Sequence, residues 1–293
     1  MLLLLQLVID GIVHGCAIGL IAVTFAYFYV TTGIFHVAHA GILTLGGYLA
    51  WYFAKLGVPF PVAVALAVFG CAVVGMLIQK GVYEPLMTRK STGLVQLIAS
   101  IGVVAVIQNL LAIVFTPNVL QFEMLPWRTT AIHLGPVDLT YPQLLTVVTS
   151  VAAAIGLMVF SSSTALGRRV RAVASNRSFA EIARLRPKNV YIYVVAIASG
   201  LVAIPGVFLG VDQALQPYSS LALLLMAVIS VIAGGVGSLR GAFIVALTLG
   251  VLQNLVLALV PGRWSQALIF ALFISFILVR PMGLFQIRMQ RAS

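Results

Sequence analysis

The chain has 293 residues, 62% of them hydrophobic and only 8% charged, with a net charge of +11. Soluble domains average about 25% charged residues, so a soluble enzyme or binding domain is excluded. A porin-type barrel is excluded too, because its strands alternate in polarity and these apolar runs do not. No basic-aromatic surface module accompanies the positive charge, so no nucleic-acid partner is expected, and membrane topology accounts for the charge instead.

A helix needs about 20 mainly apolar residues to cross a bilayer. Nine segments satisfy this, roughly 6–30, 34–54, 61–82, 93–115, 142–160, 190–211, 220–236, 241–260 and 264–280. The expected fold is an all-α polytopic transmembrane bundle of about 8–9 spans, one domain over 1–293. The N-terminal MLLLLQLVI lacks a basic region and runs into a full span, so no cleavable signal is expected. A short or re-entrant segment near 31–54, or near 220–240, would change the count without moving the basic loops. Cys16 and Cys71 lie in apolar segments and read as small hydrophobes, not as a disulfide.

In the second segment, FHVAHAG places His36 and His39 at i and i+3, on one helical face. Ionisable groups at membrane depth are functional candidates. The alternative is hydrogen bonding between helices. No third ligand is placed by the sequence, so no metal site is expected. Gly41, Gly46 and Gly47 follow, allowing a close helix approach or a broken helix. Thr44 among them is a further candidate for a translocation path.

Farther on, VIQNLLAIV at 106–114 is echoed by VLQNLVLAL at 251–259. Gln108-Asn109 answer Gln253-Asn254, either lining a path or locking helices together. Both segments run in the same direction, so this would be a weak parallel repeat, and transporter repeats place the transported species near their interface. The stretch 116–141, with Pro117, Pro126, Trp127, Pro136 and Tyr141, is long enough for a lid or docking ledge. GGVGSLRG at 234–241 lacks the Gly-Lys-Ser/Thr ending of a phosphate loop. No Walker motif, nucleophile elbow or zincin motif occurs, so no catalytic residue and no cofactor are expected. Asp10 and Asp212 fall near span ends, and no acid sits mid-span where a proton-coupled carrier would hold one.

The charges divide by side. Lys80, Arg89, Lys90, the bases of 164–189, Arg240, Arg280, Arg288 and Arg291 make 14 of the 17 basic residues. The other side holds Lys55, Arg128 and Arg263 with Asp10, Glu123, Asp138 and Asp212. The positive-inside rule then puts 164–189 and the C-terminus in the cytoplasm and 116–141 outside.

The central stretch, TALGRRVRAVASNRSFAEIARLRPKN, carries seven bases: Arg168, Arg169, Arg171, Arg177, Arg184, Arg186 and Lys188. Ser178-Phe179-Ala180-Glu181 fits a capping box, with Ser178 as N-cap and Glu181 reaching back to its amide. Pro187 limits the helix. Phe179 and Ile182 then share one face of about two turns. Such a helix suits docking to another protein. The alternatives are a solvated basic loop, or one lying on anionic lipid.

Several stretches together resemble one family, the permease subunits of bacterial ABC importers of the branched-chain amino acid type. They are TTGIFHVAHAGILTLGGYLA, SIGVVAVIQN, LGRRVRAVASN, IASGLVAIPGVFLG, VIAGGVGSLRGAF and RPMGLF, in the family's order along nearly the whole chain. The resemblance implies a multi-pass protein of the bacterial inner membrane. It implies partners: ABC ATPase subunits that hydrolyse the ATP, a second permease, identical or similar, and a periplasmic substrate-binding protein. It also implies that Ser178–Arg186 is a coupling helix, with Ser178, Phe179, Glu181, Ile182, Arg184 and Leu185 facing the ATPase.

Four positions depart from the family pattern. Its Asn is His36, its Gly-Glu after the His is Ala40-Gly41, its acidic pair before the coupling helix is Ser175-Asn176, and its Gly after that helix aligns with Arg184. The first two bear on the solute. Branched-chain or related amino acids are implied, and urea or short amides are the alternative within the family. Outside it stand a free channel or secondary carrier, and an intramembrane enzyme using His36 or His39 as a base.

Overall fold

In hydrocarbon every backbone amide needs an internal partner, which leaves these apolar runs little choice but helix. The computed structural model describes residues 2–135, 137–280 and 283–285. The predicted Arg288, Arg291 and Pro136, and the Pro-Met of RPMGLF, lie outside the described residues. Helices run α1 (Leu2–Thr32), α2 (Ala38–Lys55), α3 (Phe60–Ile78), α4 (Glu84–Thr88) and α5 (Gly93–Val114). A hairpin of β1 (Ala131–Leu134) and β2 (Val137–Thr140) comes next. Then come α6 (Tyr141–Ser163), α7 (Ala165–Ser175), α8 (Arg177–Ile182), α9 (Pro187–Asp212), α10 (Ser220–Gly234), α11 (Leu239–Val256) and α12 (Gly262–Val279).

Each of the nine apolar segments is a helix within a few residues of its expected bounds. Among the described residues, six helical stretches are long and apolar enough to cross a membrane: α1, α3 with α4, α5, α6, α9 and α11. By length and composition the chain is a multi-pass membrane protein. Helix α10 has 15 residues, or about 22 Å of rise, short of the roughly 30 Å hydrocarbon core.

Among these six stretches, α1 and α9 are the most buried. The most apolar windows of α1 and α9 are 67% and 78% buried, against 22–33% for α3, α5, α6 and α11. An apolar residue gains nothing by choosing protein over lipid tails, so small residues and close backbone approach decide which helices pack. Gly11 and Gly15 of α1 meet α11. A Cβ at Gly11 would lie 2.6 Å from the Val251 Cα, and one at Gly15 would lie 2.8 Å from the Leu247 Cα. Gly46 and Gly47 of α2 meet α9 in the same way. A Cβ at Gly46 would lie 2.7 Å from the Ala203 Cα, and one at Gly206 would collide with the Leu43 carbonyl. The glycines after His39 therefore serve close approach within an unbroken α2.

The break in the chain comes earlier. Gly33, at φ +74°, ends α1, and residues 33–37 cross to α2 without forming helix. Helix α3 passes through a π turn, Gln79–Tyr83, into α4. The extra residue of a π turn rotates the helix beyond it, and here both Gln79 and Tyr83 point inward and are buried.

At the end opposite the basic segments, 116–140 folds as a cap. Leu120 pairs with Leu215 through two backbone bonds. The Trp51 indole donates to the Gln121 carbonyl, Phe122 is fully buried, and Trp127 packs edge-on against Phe60.

Candidate functional site

A polar column runs along α2. The expectation of one helical face for both histidines is corrected: α2 starts at Ala38, so His36 stands in the break and only His39 is helical. The two rings still lie 5.6 Å apart, and both side chains are fully buried. His36 stacks on Phe28 at 4.5 Å, and its Nδ1 lies 2.7 Å from the Tyr83 hydroxyl. That hydroxyl donates to Ser100 Oγ (2.8 Å), which also accepts the Ala38 amide (2.9 Å). With Tyr83 donating onward, Nδ1 carries the proton. The chain of bonds thus satisfies an orphan amide at the start of α2 and ties the break to the π turn after α3 and to α5.

His39 Nε2 lies 3.0 Å from Thr24 Oγ1. The Thr24 proton goes back to the carbonyls of Leu20 and Ile21, so Nε2 is the donor. Each histidine hydrogen-bonds to another segment, His36 to Tyr83 and His39 to Thr24. Among the described residues, His36 Nε2 and His39 Nδ1 are buried without a partner.

One turn farther along α2, Thr44 shares a 2.6 Å hydrogen bond with Ser220, and both are buried. They line a cavity of about 200 Å³ with Gly206, Gly210, Gln213 and Gln216. Ser220 opens the short helix α10. No side chain caps that helix, since the Ser219 hydroxyl turns back to the Gln216 carbonyl at 3.1 Å. Helix N-termini carry partial positive charge and free amides. Of the predicted path residues, only Thr44 lines this cavity.

The two Gln-Asn pairs are not equivalent. Gln108 is buried, and among the described residues its amide nitrogen has no partner. Asn109 is exposed, donates to the Ala105 carbonyl and accepts from Tyr218, so it touches the segment leading into α10. In α11 the burial is exchanged. Asn254 is buried and donates to the Gly250 carbonyl, while Gln253 is half-buried. Helix α5 packs on α2, whereas α11 packs on α1 and α10.

At the basic end, the stretch 164–189 is two helices rather than one. In α7, Gly167, Val170 and Val173 form a buried stripe, and Thr164 caps it by accepting the Gly167 amide. Arg168 donates to the Ser163 carbonyl and Arg171 to those of Ser161 and Ser162, so these bases close the open end of α6. Helix α8 begins earlier than the capping box implied: Asn176 is the N-cap and accepts the Phe179 amide at 3.1 Å. Ser178 and Glu181 sit inside the helix, and Glu181 is exposed.

Helix α8 ends in a tight left-handed turn. Leu185 N–H bonds to the Ala180 carbonyl and Arg184 N–H to that of Glu181, the bond pair of a Schellman cap. Arg184 takes the left-handed position at φ +58°. Ala180 is buried and Leu185 packs on the core, while Phe179 and Ile182 stand out at 67% and 77% exposure. Lys188 reaches Glu84 at 3.1 Å, a partly exposed pair worth little energy.

Residues 7–277 match the family described as "Branched-chain amino acid transport system / permease component". The chain belongs to that family. The permease is 26% identical to the high-affinity branched-chain amino acid transport system permease protein BraD of Pseudomonas aeruginosa, over 96% of this chain and 95% of that protein. It is 25% identical to LivH, of the same description, from Escherichia coli K12, over 96% and 94%. A chain of the solved structure "PsaBC from Streptococcus pneumoniae in complex with Fab" superposes with a TM-score of 0.53 at 12% identity, covering 93% of this chain and 91% of that one, a likeness of fold.

Sequence reading missed several members of these sites in the permease. Tyr83 and Ser100 are 47 and 64 positions from His36, and nothing local announces their meeting. Ser220 carried no signal beside Thr44. Helix α7 was legible: Thr164 followed by Gly167, Val170 and Val173 at helical spacing is a capped amphipathic pattern.

Proposed function

We propose that this permease is the membrane-spanning subunit of an ABC importer and moves branched-chain or related amino acids into the cytoplasm. ATP is hydrolysed on separate subunits. The observation that carries this beyond family membership is α8, a short capped helix at the basic end presenting two large apolar side chains to water. Exposed Phe179 and Ile182 beside a buried Ala180 suit a groove in an ATPase subunit. The basic end is then cytoplasmic, and the cap at 116–140 is the periplasmic ledge for a substrate-binding protein. A second permease, identical or similar, completes the path.

The cavity at Thr44 and Ser220 is the solute contact in this reading. A half-length helix starting at membrane depth offers its N-terminal amides to an anionic group such as the carboxylate of an amino acid. His36 and Ala40-Gly41, which depart from the family pattern, do not line this cavity, which favours an amino acid over urea or amides.

The test changes Phe179 and Ile182 together to Ser in the assembled transporter. ATPase co-purification and binding-protein-dependent leucine uptake are expected to fall together. Unchanged uptake and co-purification overturn the coupling assignment. Leucine flux into liposomes holding this chain alone overturns the importer reading in favour of a free channel or carrier.

A further inference from the structure

Behind the turn that ends α8 lies a second cavity, of about 400 Å³. Its lining includes three arginines from separate places: Arg169 of α7, Arg184 of the turn, and Arg186 at the cap of α9. Asn189 and Tyr193 join them, and no carboxylate lines the space. Among the described residues, none of the three arginine side chains has a hydrogen-bond or ion-pair partner. The N-terminus of the 26-residue α9 adds positive potential at the same point. All three arginines are exposed, so solvent screens their repulsion in part, and an anion among them would neutralise the rest.

Arg184 sharpens the case. Its φ of +58° favours glycine and is costly for a long L side chain. The turn therefore holds a guanidinium at a position where the backbone would be more comfortable without a side chain.

The rest of the lining says what kind of anion. Leu166, Leu185 and Val190 give the cavity an apolar wall. Tyr193 is 54% exposed and lies about 9 Å along α9 from its start, and exposed tyrosines near the ends of spans favour the membrane interface. A free anion has no use for that wall, whereas a lipid has a phosphate for the guanidiniums and an acyl chain for the apolar side.

We propose that this cavity binds the phosphate of an anionic glycerophospholipid from the leaflet at the basic end. Basic pockets between spans at a cytoplasmic surface have the chemistry for such headgroups. The bound lipid bridges α7, the turn after α8 and α9, and so braces the helix that presents Phe179 and Ile182. The site needs neither solute nor partner subunit, so its failure leaves the transport reading standing.

The test uses the full-length chain in mild detergent, titrated with phosphatidylglycerol, phosphatidylcholine or inorganic phosphate. Thermal unfolding and native mass spectrometry give the readouts. Phosphatidylglycerol is expected to bind saturably and raise the melting temperature, and the other two are not. Changing Arg169 and Arg186 to Gln should weaken the apparent affinity roughly tenfold or more, the loss expected for charge-assisted bonds.

Arg184→Gly separates site from scaffold. It should raise the melting temperature without lipid and yet weaken the phosphatidylglycerol response. An equal response in wild type and all variants overturns the proposal. Inorganic phosphate giving the same shift overturns the lipid assignment. Protection by a co-expressed ATPase with no response to lipid assigns the guanidiniums to the protein partner, and also overturns it.

Discussion

The α2–α9 interface and the α7–α8 hook use opposite means to hold their shape. In the first, backbones touch through Gly46 and Gly206, and the break leading into α2 is held by buried polar bonds that link His36, Tyr83 and Ser100. In the second, caps within a few residues of each helix end carry the structure, and large apolar groups face water. Geometry at the interface is set by distant residues, so it should tolerate little change. Geometry in the hook is set locally, so its exposed face is free to serve another protein.

The sharpest way to break this contrast is at Gly206. Gly206→Val should destabilise the bundle by about 3 kcal/mol or more, because the added atoms meet the Leu43 backbone and not a flexible side-chain tip. Yield and melting temperature in detergent read this out, and a stable variant would show that the helices separate easily.

Next is Tyr83→Phe, which leaves His36 Nδ1 and Ser100 without their shared hydroxyl. A loss of about 1–3 kcal/mol is expected for a buried polar group left unpaired. Combining it with His36→Phe, a ring that keeps the stack on Phe28, should cost less than the sum of the two single changes. Strict additivity would mean that the two groups do not interact.

Smaller effects belong to the hook. Asn176→Ala removes the cap of α8 and should cost about 1 kcal/mol, felt as fraying of α8 and measured by faster amide exchange near Phe179. Arg184→Gly should gain at most about 1 kcal/mol by relieving the left-handed turn. Smallest of all, changing Phe179 and Ile182 to Ser should move stability by less than about 0.5 kcal/mol, since neither side chain is packed. A large loss of stability there would make them structural and would weaken the docking reading.

Much of this contrast was open to reading before any coordinates. The nine apolar segments, the basic end and the exposed face of α8 rest on residues close together in the chain. The N-cap was misplaced by two residues because Asn176 and Ser178 both suit a cap, and the choice between them rests on backbone angles. The paired Gln-Asn motifs could not show their burial for a related reason. Composition marks a side chain as polar, but only packing decides which of two neighbours turns inward.

The sequence by itself determined that this chain crosses the membrane many times, which end carries positive charge, and where a short amphipathic helix interrupts the spans. Those properties depend on hydration and on hydrogen bonds within one turn of helix. The tertiary structure alone decided that α10 starts beside Thr44 and that Tyr83 answers His36. It alone decided that three arginines from separate segments share one cavity. In lipid, apolar residues gain nothing by choosing one helix over another, so those meetings depend on glycine contacts and buried hydrogen bonds between segments far apart in sequence.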